Sequence, residues 1–442
     1  MQTIDEPDFA SMLAGRPGLS MHASGGLVLD DVPLAVIAAA VGTPTWVMSA
    51  QVLRDRFGYL ADAFGPLGAR IHYAVKANDH LAVLDVLARA GAGADVVSGG
   101  ELRRAMTAGI DPAHIVFSGV GKSVAEMQDA VAAGLSQVNV ESAEELSSLS
   151  TVAAGMDRTV RVALRVNPDV DAGTHAKITT GRLDNKFGVA LADIPGLYAR
   201  AATLPGVQPI GLALHIGSQI AAMAPYGAAY ARAADMIRQL RAAGHAVQTM
   251  DCGGGLGIRY RDEAEGSPAA WAGAVAAAFG GMDLRLMIEP GRWLAGPAGL
   301  LLARTMLTKV TAGHRFVVLD AAMNDLVRPA MYDSWHAIVP LSPGTFYSPR
   351  VRTDVVGPVC ETGDTFARGR LLPALAAGDC VAILDTGAYG SSMSSTYNAR
   401  PLAAIAMVDG ARWSVIRPRQ AVDALWEHET VPRWPAADRP AA

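Results

Sequence analysis

From Ile71 onward the chain alternates between two textures. Short runs rich in Val, Ile and Leu are separated by Ala-rich stretches whose apolar positions recur at helical spacing. The strand-like runs fall at Ile71–Val75, Ala94–Val97, His114–Phe117, Gln137–Val140, Arg161–Val166, Ile210–Leu214, Gln248–Asp251 and Leu284–Ile288. Helical stretches lie between them at Leu81–Ala90, Glu101–Ala108, Val124–Ala133, Ser142–Ala153, Tyr226–Ala243 and Ala269–Ala278. Eight strand–helix units in about 220 residues predict an α/β fold, a (β/α)8 TIM barrel. The competing arrangement is a doubly wound open sheet. It calls for a Gly-rich turn after the first strand, where this chain has Lys76-Ala77-Asn78.

After Pro297 the texture changes. Leu301–Val310, Arg315–Asp320, His336–Pro340, Arg350–Val355, Cys380–Leu384, Leu402–Val408 and Arg412–Ile416 are short and strand-like, punctuated by Gly, Pro, Asp and Asn. They predict an all-β C-terminal domain, a sandwich or barrel. A lone strand-like run, Gly26–Asp30, is expected to join it. The expected division is residues 1–44 as an N-terminal segment joining the β domain, 45–298 as the barrel, 299–425 as the β domain and 426–442 as a tail.

Composition narrows the function. The chain has 442 residues, 51% apolar and 18% charged, enough for a sizeable core. A net charge of −5 offers no footprint for nucleic acid or an anionic membrane. No run is long and apolar enough to span a bilayer. Met1–Phe9 carries Asp5, Glu6 and Asp8, unlike a secretory leader. Three cysteines, Cys252, Cys360 and Cys380, make no disulfide framework. The expectation is a reducing, cytoplasmic setting, and the chain has no metal motif such as HExxH or CxxC.

Active sites of such barrels lie at the C-terminal ends of the strands, and unusual residues gather there. Lys76 follows strand one, among Ala and Val. Desolvation there is expected to lower its pKa and favour Schiff-base chemistry, although a lysine reaching to water fits as well. His215 follows strand six in His215-Ile216-Gly217-Ser218-Gln219. It could stack on a planar ring, or be structural. Gly253-Gly254-Gly255 follows strand seven, as a phosphate cradle of bare amides or an ordinary tight turn. Glu289-Pro290-Gly291-Arg292 follows strand eight. Glu289 could keep a pyridine nitrogen protonated and Arg292 could bind an anion, or the two could be an exposed ion pair. Together a Schiff-base lysine, a phosphate cradle, a ring stacker and a carboxylate describe a site for pyridoxal 5'-phosphate (PLP).

Tyr73-Ala74-Val75-Lys76-Ala77-Asn78 resembles the lysine motif of fold-type III PLP-dependent decarboxylases, which share their barrel with alanine racemase. The His215, Gly253–Gly255, Glu289–Arg292, Cys360 and Tyr389 segments match in the same order. His175–Gly181 with Lys186-Phe187-Gly188, Asn324–Tyr332 with Trp335-His336, and Cys360-Glu361 resemble the diaminopimelate branch.

The resemblance implies roles. Lys76 carries PLP, His215 stacks on its ring and Glu289 pairs with the ring nitrogen. Ser218, Gly253, Gly254, Gly255, Gly291, Arg292 and Tyr389 hold the cofactor, mostly at its phosphate. Arg292, Arg328, Tyr332 and Tyr389 contact substrate, chiefly its distal carboxylate, and Glu361 takes the distal ammonium. Cys360 returns a proton after CO2 leaves. It also implies a homodimer in which Cys360 and Glu361 reach the partner's Lys76, and a lid over residues 171–185. The expected reaction converts meso-2,6-diaminopimelate to L-lysine and CO2. Decarboxylation of ornithine, arginine or lysine, or a non-catalytic homologue, are the alternatives. Trp293 and Pro297 depart from the family pattern.

Overall fold

The computed structural model describes residues 7, 9–171 and 186–434. The eight strand-like runs form one parallel sheet. We label them β1 (Arg70–Ala74), β2 (Gly93–Val96), β3 (Ile115–Phe117), β4 (Gln137–Val140), β5 (Val160–Asn167), β6 (Val207–Leu214), β7 (Thr249–Asp251) and β8 (Arg285–Ile288). Each pairs with the next, and β8 pairs back to β1, so the sheet closes into a barrel. Most boundaries differ from expectation by a residue or so, because each buried apolar run stops where its polar loop begins.

Serines set where several barrel helices start. Ser98, Ser123, Ser142 and Ser267 each accept a backbone N–H at the first turn. Ser123 and Glu126 complete a reciprocal capping box. The outer faces of the strands and the inner faces of the helices merge into one apolar core. Trp271 is typical. Its ring packs on Phe64 at 5.0 Å between centroids, and its N–H donates to Tyr230 Oη at 2.8 Å.

The barrel interior carries a layered polar network that starts at the beginning of its strands and continues toward their C-terminal ends. On β4 the side chains of Gln137 and Asn139 point inward, two residues apart. Thr249 Oγ1 on β7 donates to Gln137 Oε1 at 3.1 Å, and Asn139 Nδ2 donates to Asp251 Oδ2 at 2.9 Å. These bonds cross the barrel interior between strands that are not neighbours, β4 and β7, and satisfy groups that would be costly to bury alone.

The second domain is a bent nine-stranded mixed sheet, so the expected β domain is present. Its longest strand, Gly299–Thr311, is antiparallel to Thr45–Ser49, Cys380–Ile383 and His314–Leu319. Arg350–Val356, Thr365–Pro373, Ile338–Pro340, Ala404–Asp409 and Arg412–Arg417 complete it. Thr45–Ser49, assigned from sequence to the barrel, is instead central in this sheet, between Gly299–Leu302 and Ala404–Val408. Barrel elements therefore start with the helix Ala50–Phe64, capped by Ser49. Gly26–Leu29 is a strand, but it sits in a separate three-stranded sheet with Leu19–His22 and Val32–Pro33. That small sheet is joined to the domain by a bond from Leu27 N to Leu341 O at 2.9 Å.

Alternation along the central strands separates two cores. Trp46, Met48, Leu301 and Ala303 face the barrel side, whereas Val47, Leu300 and Leu302 face Leu27, Leu34 and Ile37 of the N-terminal segment. The long strand thereby locks the β domain against the C-terminal mouth of the barrel. Among the described residues, no helix is long and apolar enough to cross a membrane.

Candidate active site

Lys76 leaves the end of β1 in a single 3₁₀ turn, Val75–Ala77. It lines a cavity of about 390 Å³ with Ser118, Asn139, Arg165, Phe187, His215 and Glu289, all from the C-terminal ends of barrel strands or the loops after them. Its Nζ donates to Asp95 Oδ2 on β2 at 2.8 Å. Burial disfavours the ammonium, but the charges of Asp95, Tyr389 and Glu289 outweigh it, and the pKa rises above the ordinary lysine value. This corrects the expectation of a lowered pKa. The local run is apolar, but the neighbouring strand supplies a carboxylate.

Glu289 ends β8 on the same cavity. Its Oε1 accepts from Ser118 Oγ at 3.4 Å, and it shares a hydrogen bond with Asp251. Burial, then the charges of Asp251 and Asp95, push its pKa well above the carboxylate range. Asp251 is also raised, by burial. Two such carboxyls in contact hold a proton between them. The exposed ion pair considered for Glu289 is therefore absent. His215 at the end of β6 accepts a bond at Nδ1 from Gly254 N–H at 3.3 Å. Burial, with Arg165 and Lys76 nearby, holds its pKa well below the usual histidine value, so the ring is neutral.

The glycine loop does more than expose amides. A Cβ on Gly253 would fall 2.0 Å from Leu214 O, one on Gly254 2.0 Å from Glu289 O, and one on Gly255 2.2 Å from Gly217 O. The triplet therefore lets the loops after β6, β7 and β8 meet backbone to backbone, and Gly253 and Gly255 need positive φ as well. A Cβ on Gly291 would lie 3.1 Å from the Cβ atoms of Ala74 and Ala77 beside Lys76, a tight but lesser approach.

Arg292 is buried. It donates to Ser218 Oγ at 2.9 and 3.3 Å and to Tyr260 Oη at 2.7 Å, and its guanidinium lies 4.9 Å from the Tyr389 ring centroid. Arg328, only 5% exposed, shares a second cavity of about 280 Å³ with Arg292, Tyr260, Tyr332 and Ser334. Arg328 Nη2 donates to Ser334 Oγ at 3.2 Å, its Nε has no hydrogen-bond partner, and burial lowers its pKa. Among the described residues neither arginine has a carboxylate partner. Trp293, the bulky departure, does not crowd this turn. It is buried beneath the Arg56 guanidinium, 3.7 Å from its ring centroid, and donates to Gly266 O.

Tyr389 reaches the site from the β domain. Its N–H donates to Ala77 O at 2.7 Å, and its φ of +55° is unusual for a residue with a Cβ. Cys360 and Glu361 are not brought to Lys76. They lie on an exposed turn between two β-domain strands, where Cys360 N–H donates to Asn398 Oδ1 at 3.0 Å. Cys252 is buried and Cys380 partly so, and all three thiols are free. The lid segment falls almost wholly outside the described residues.

Sequence reasoning missed Asp95, Ser118, Asn139, Arg165 and Tyr260. A charged residue inside the apolar run Ala94–Val97 was a readable sign, since an unpaired buried charge is costly. Tyr260 gives no sign before folding.

The residues present suit PLP. An amine, a proton-bearing carboxyl pair and a neutral imidazole surround one cavity, and two buried arginines, with no carboxylate partner among the described residues, adjoin the next. A family model, pyridoxal-dependent decarboxylase, pyridoxal binding domain, matches residues 51–296. The fold and the site thus define a PLP-dependent decarboxylase. Diaminopimelate decarboxylase of Zymomonas mobilis is 46% identical, over 93% of this chain and 98% of its own. That of Pseudomonas aeruginosa is 45% identical, over 92% and 97%. The crystal structure of diaminopimelate decarboxylase from Helicobacter pylori complexed with L-lysine has a TM-score of 0.87 at 38% identity, covering 90% of this chain and 99% of that one. This chain belongs to the diaminopimelate decarboxylase family.

Proposed function

We propose that this chain uses PLP to convert meso-2,6-diaminopimelate to L-lysine and CO2, and that its residues take the following parts. When bound, PLP supplies an electron sink for the pair left on Cα as CO2 departs. Lys76 is the attachment point, and Asp95 keeps positive charge on its nitrogen favourable. Glu289, sharing a proton with Asp251, keeps a proton at the ring nitrogen. The neutral His215 ring, on the wall of the same cavity, would stack on the cofactor's ring without adding charge. Ser218, Gly253, Gly254, Gly255, Gly291, Arg292 and Tyr389 hold the phosphate. The Ser218 oxygen already accepts from Arg292, which leaves its own proton to point at an anion.

The observation that carries the substrate reading is Arg328. A buried guanidinium with no carboxylate partner among the described residues, adjacent to Arg292, suits a second carboxylate, which diaminopimelate has and lysine, ornithine and arginine lack. Arg292, Tyr332 and Tyr389 complete that wall. Cys360 and Glu361 come from a second copy in a homodimer. Their exposed turn and their absence from both cavities support this. There Cys360 delivers a proton to Cα and Glu361 binds the distal ammonium. Three free thiols favour a cytoplasmic setting.

The test is CO2 release from meso-diaminopimelate, ornithine, arginine and lysine, each with PLP. Release from diaminopimelate alone is expected. Release from a substrate with one carboxylate at a comparable rate would overturn the Arg328 assignment.

A further inference from the structure

Arg16 comes from the N-terminal segment, far in sequence from everything else at the site. Its side chain is buried, with Nε donating to Asp385 Oδ2 at 2.8 Å and Nη2 donating to Tyr260 O at 2.6 Å. These partners are the roots of the two tyrosines that flank Arg292. Tyr260 receives Arg16 on its carbonyl and Arg292 on its hydroxyl, the latter at 2.7 Å. Asp385 begins the Asp385-Thr386-Gly387-Ala388-Tyr389 segment, which runs into the site with positive φ at both ends, +57° and +55°. Its Gly387 is pressed so tightly that a Cβ would meet Ala295 O at 2.0 Å. One planar guanidinium thus ties together both supports of the arginine proposed to bind phosphate.

We propose that Arg16 is a positioning residue for the phosphate-binding pair Arg292 and Tyr389, an inference that rests on the cofactor site proposed above. A lysine has a single nitrogen and cannot span both acceptors in the same way. If Arg16 only anchored the N-terminal segment, its loss would not distinguish ligands with and without a phosphate.

The experiment titrates the full-length apo-protein with PLP and with pyridoxal, which lacks the phosphate, and reads both dissociation constants spectroscopically for wild type and Arg16→Met. The expected result is PLP binding weakened about tenfold or more, with pyridoxal binding unchanged within about twofold. Equal weakening of both ligands, or no change in PLP binding, overturns the proposal. If Arg16→Met does not fold, Arg16→Lys is read by the same criteria. A wild-type protein with no preference for PLP over pyridoxal would instead overturn the phosphate site itself, and the proposal with it.

Discussion

Arg328 is held out of water with no carboxylate beside it among the described residues, so in the free protein it works against folding, and with a carboxylate ligand it works for binding. Arg328→Met should therefore separate the two effects. The kcat/KM for meso-diaminopimelate is expected to fall by about 3–4 kcal/mol, several hundred-fold, while the melting temperature of the apo-protein rises by about a degree or more. Steady-state kinetics and calorimetry read both, and a drop in melting temperature would mean that Arg328 has an anionic partner within the protein. His72 gives a pH test. It is buried on β1 with Nδ1 unpartnered, and burial lowers its pKa from 6.5 to about 4. Above pH 6.5 the ring is neutral folded or unfolded. As pH falls below that, the unfolded chain takes a proton that the folded chain refuses, so stability is lost on acidification. Relative to His72→Phe, wild type should lose about 2 kcal/mol between pH 7 and pH 5. The two melting temperatures should diverge over that range, and parallel curves would contradict the burial argument. At this scale the sequence exposed residues whose type is odd for their place: Lys76, His215, Glu289 and Arg292 at strand ends. It did not expose partners supplied by folding. Asp95 reverses the pKa expected for Lys76 from a neighbouring strand, and Tyr260 meets Arg292 only through the loop after β7.

Elements meet at the barrel mouth through glycines, and two alanine substitutions distinguish close approach from mere flexibility. Gly254→Ala places a Cβ 2.0 Å from Glu289 O and must push the loops after β7 and β8 apart. It is expected to destabilise the apo-protein by about 3 kcal/mol or more. Gly273 lies mid-helix in Pro268–Phe279 with open space around its would-be Cβ. Gly273→Ala should stabilise by about 0.5–1 kcal/mol. Differential scanning calorimetry of both variants checks the sign of each. The barrel strands were readable because each is a buried apolar run between punctuated loops. Thr365–Pro373 was not, since Arg368, Gly369 and Arg370 interrupt its alternation. Thr45–Ser49 falls within the range expected for the barrel and is not among the strand-like runs read from the sequence. Its place is fixed by pairing Met48 with Gly299 and with Met407, contacts between residues more than 200 positions apart that no local pattern encodes.

The molecule as a whole presents Cys360, the residue proposed to donate the proton, on an exposed turn away from the Lys76 cavity. If two copies share sites, a Lys76→Ala chain and a Cys360→Ala chain should complement each other. Equal mixing of the two poorly active proteins, with subunit exchange, should restore up to about a quarter of wild-type activity, because half the dimers then hold one intact site. No recovery despite verified exchange would place Cys360 and Lys76 in the same protomer's site or remove Cys360 from the reaction. The division of labour between domains makes the same point. The barrel supplies Lys76, Glu289, His215 and Arg292, and the β domain supplies Tyr389 and Arg328. The most direct test of the account is the yield of CO2 and L-lysine from meso-diaminopimelate, with PLP present, for wild type and Lys76→Ala. Equimolar CO2 and L-lysine from wild type, with Lys76→Ala slower by about a thousandfold or more, is the predicted result. No CO2 from wild type, or comparable rates from both proteins, would contradict it.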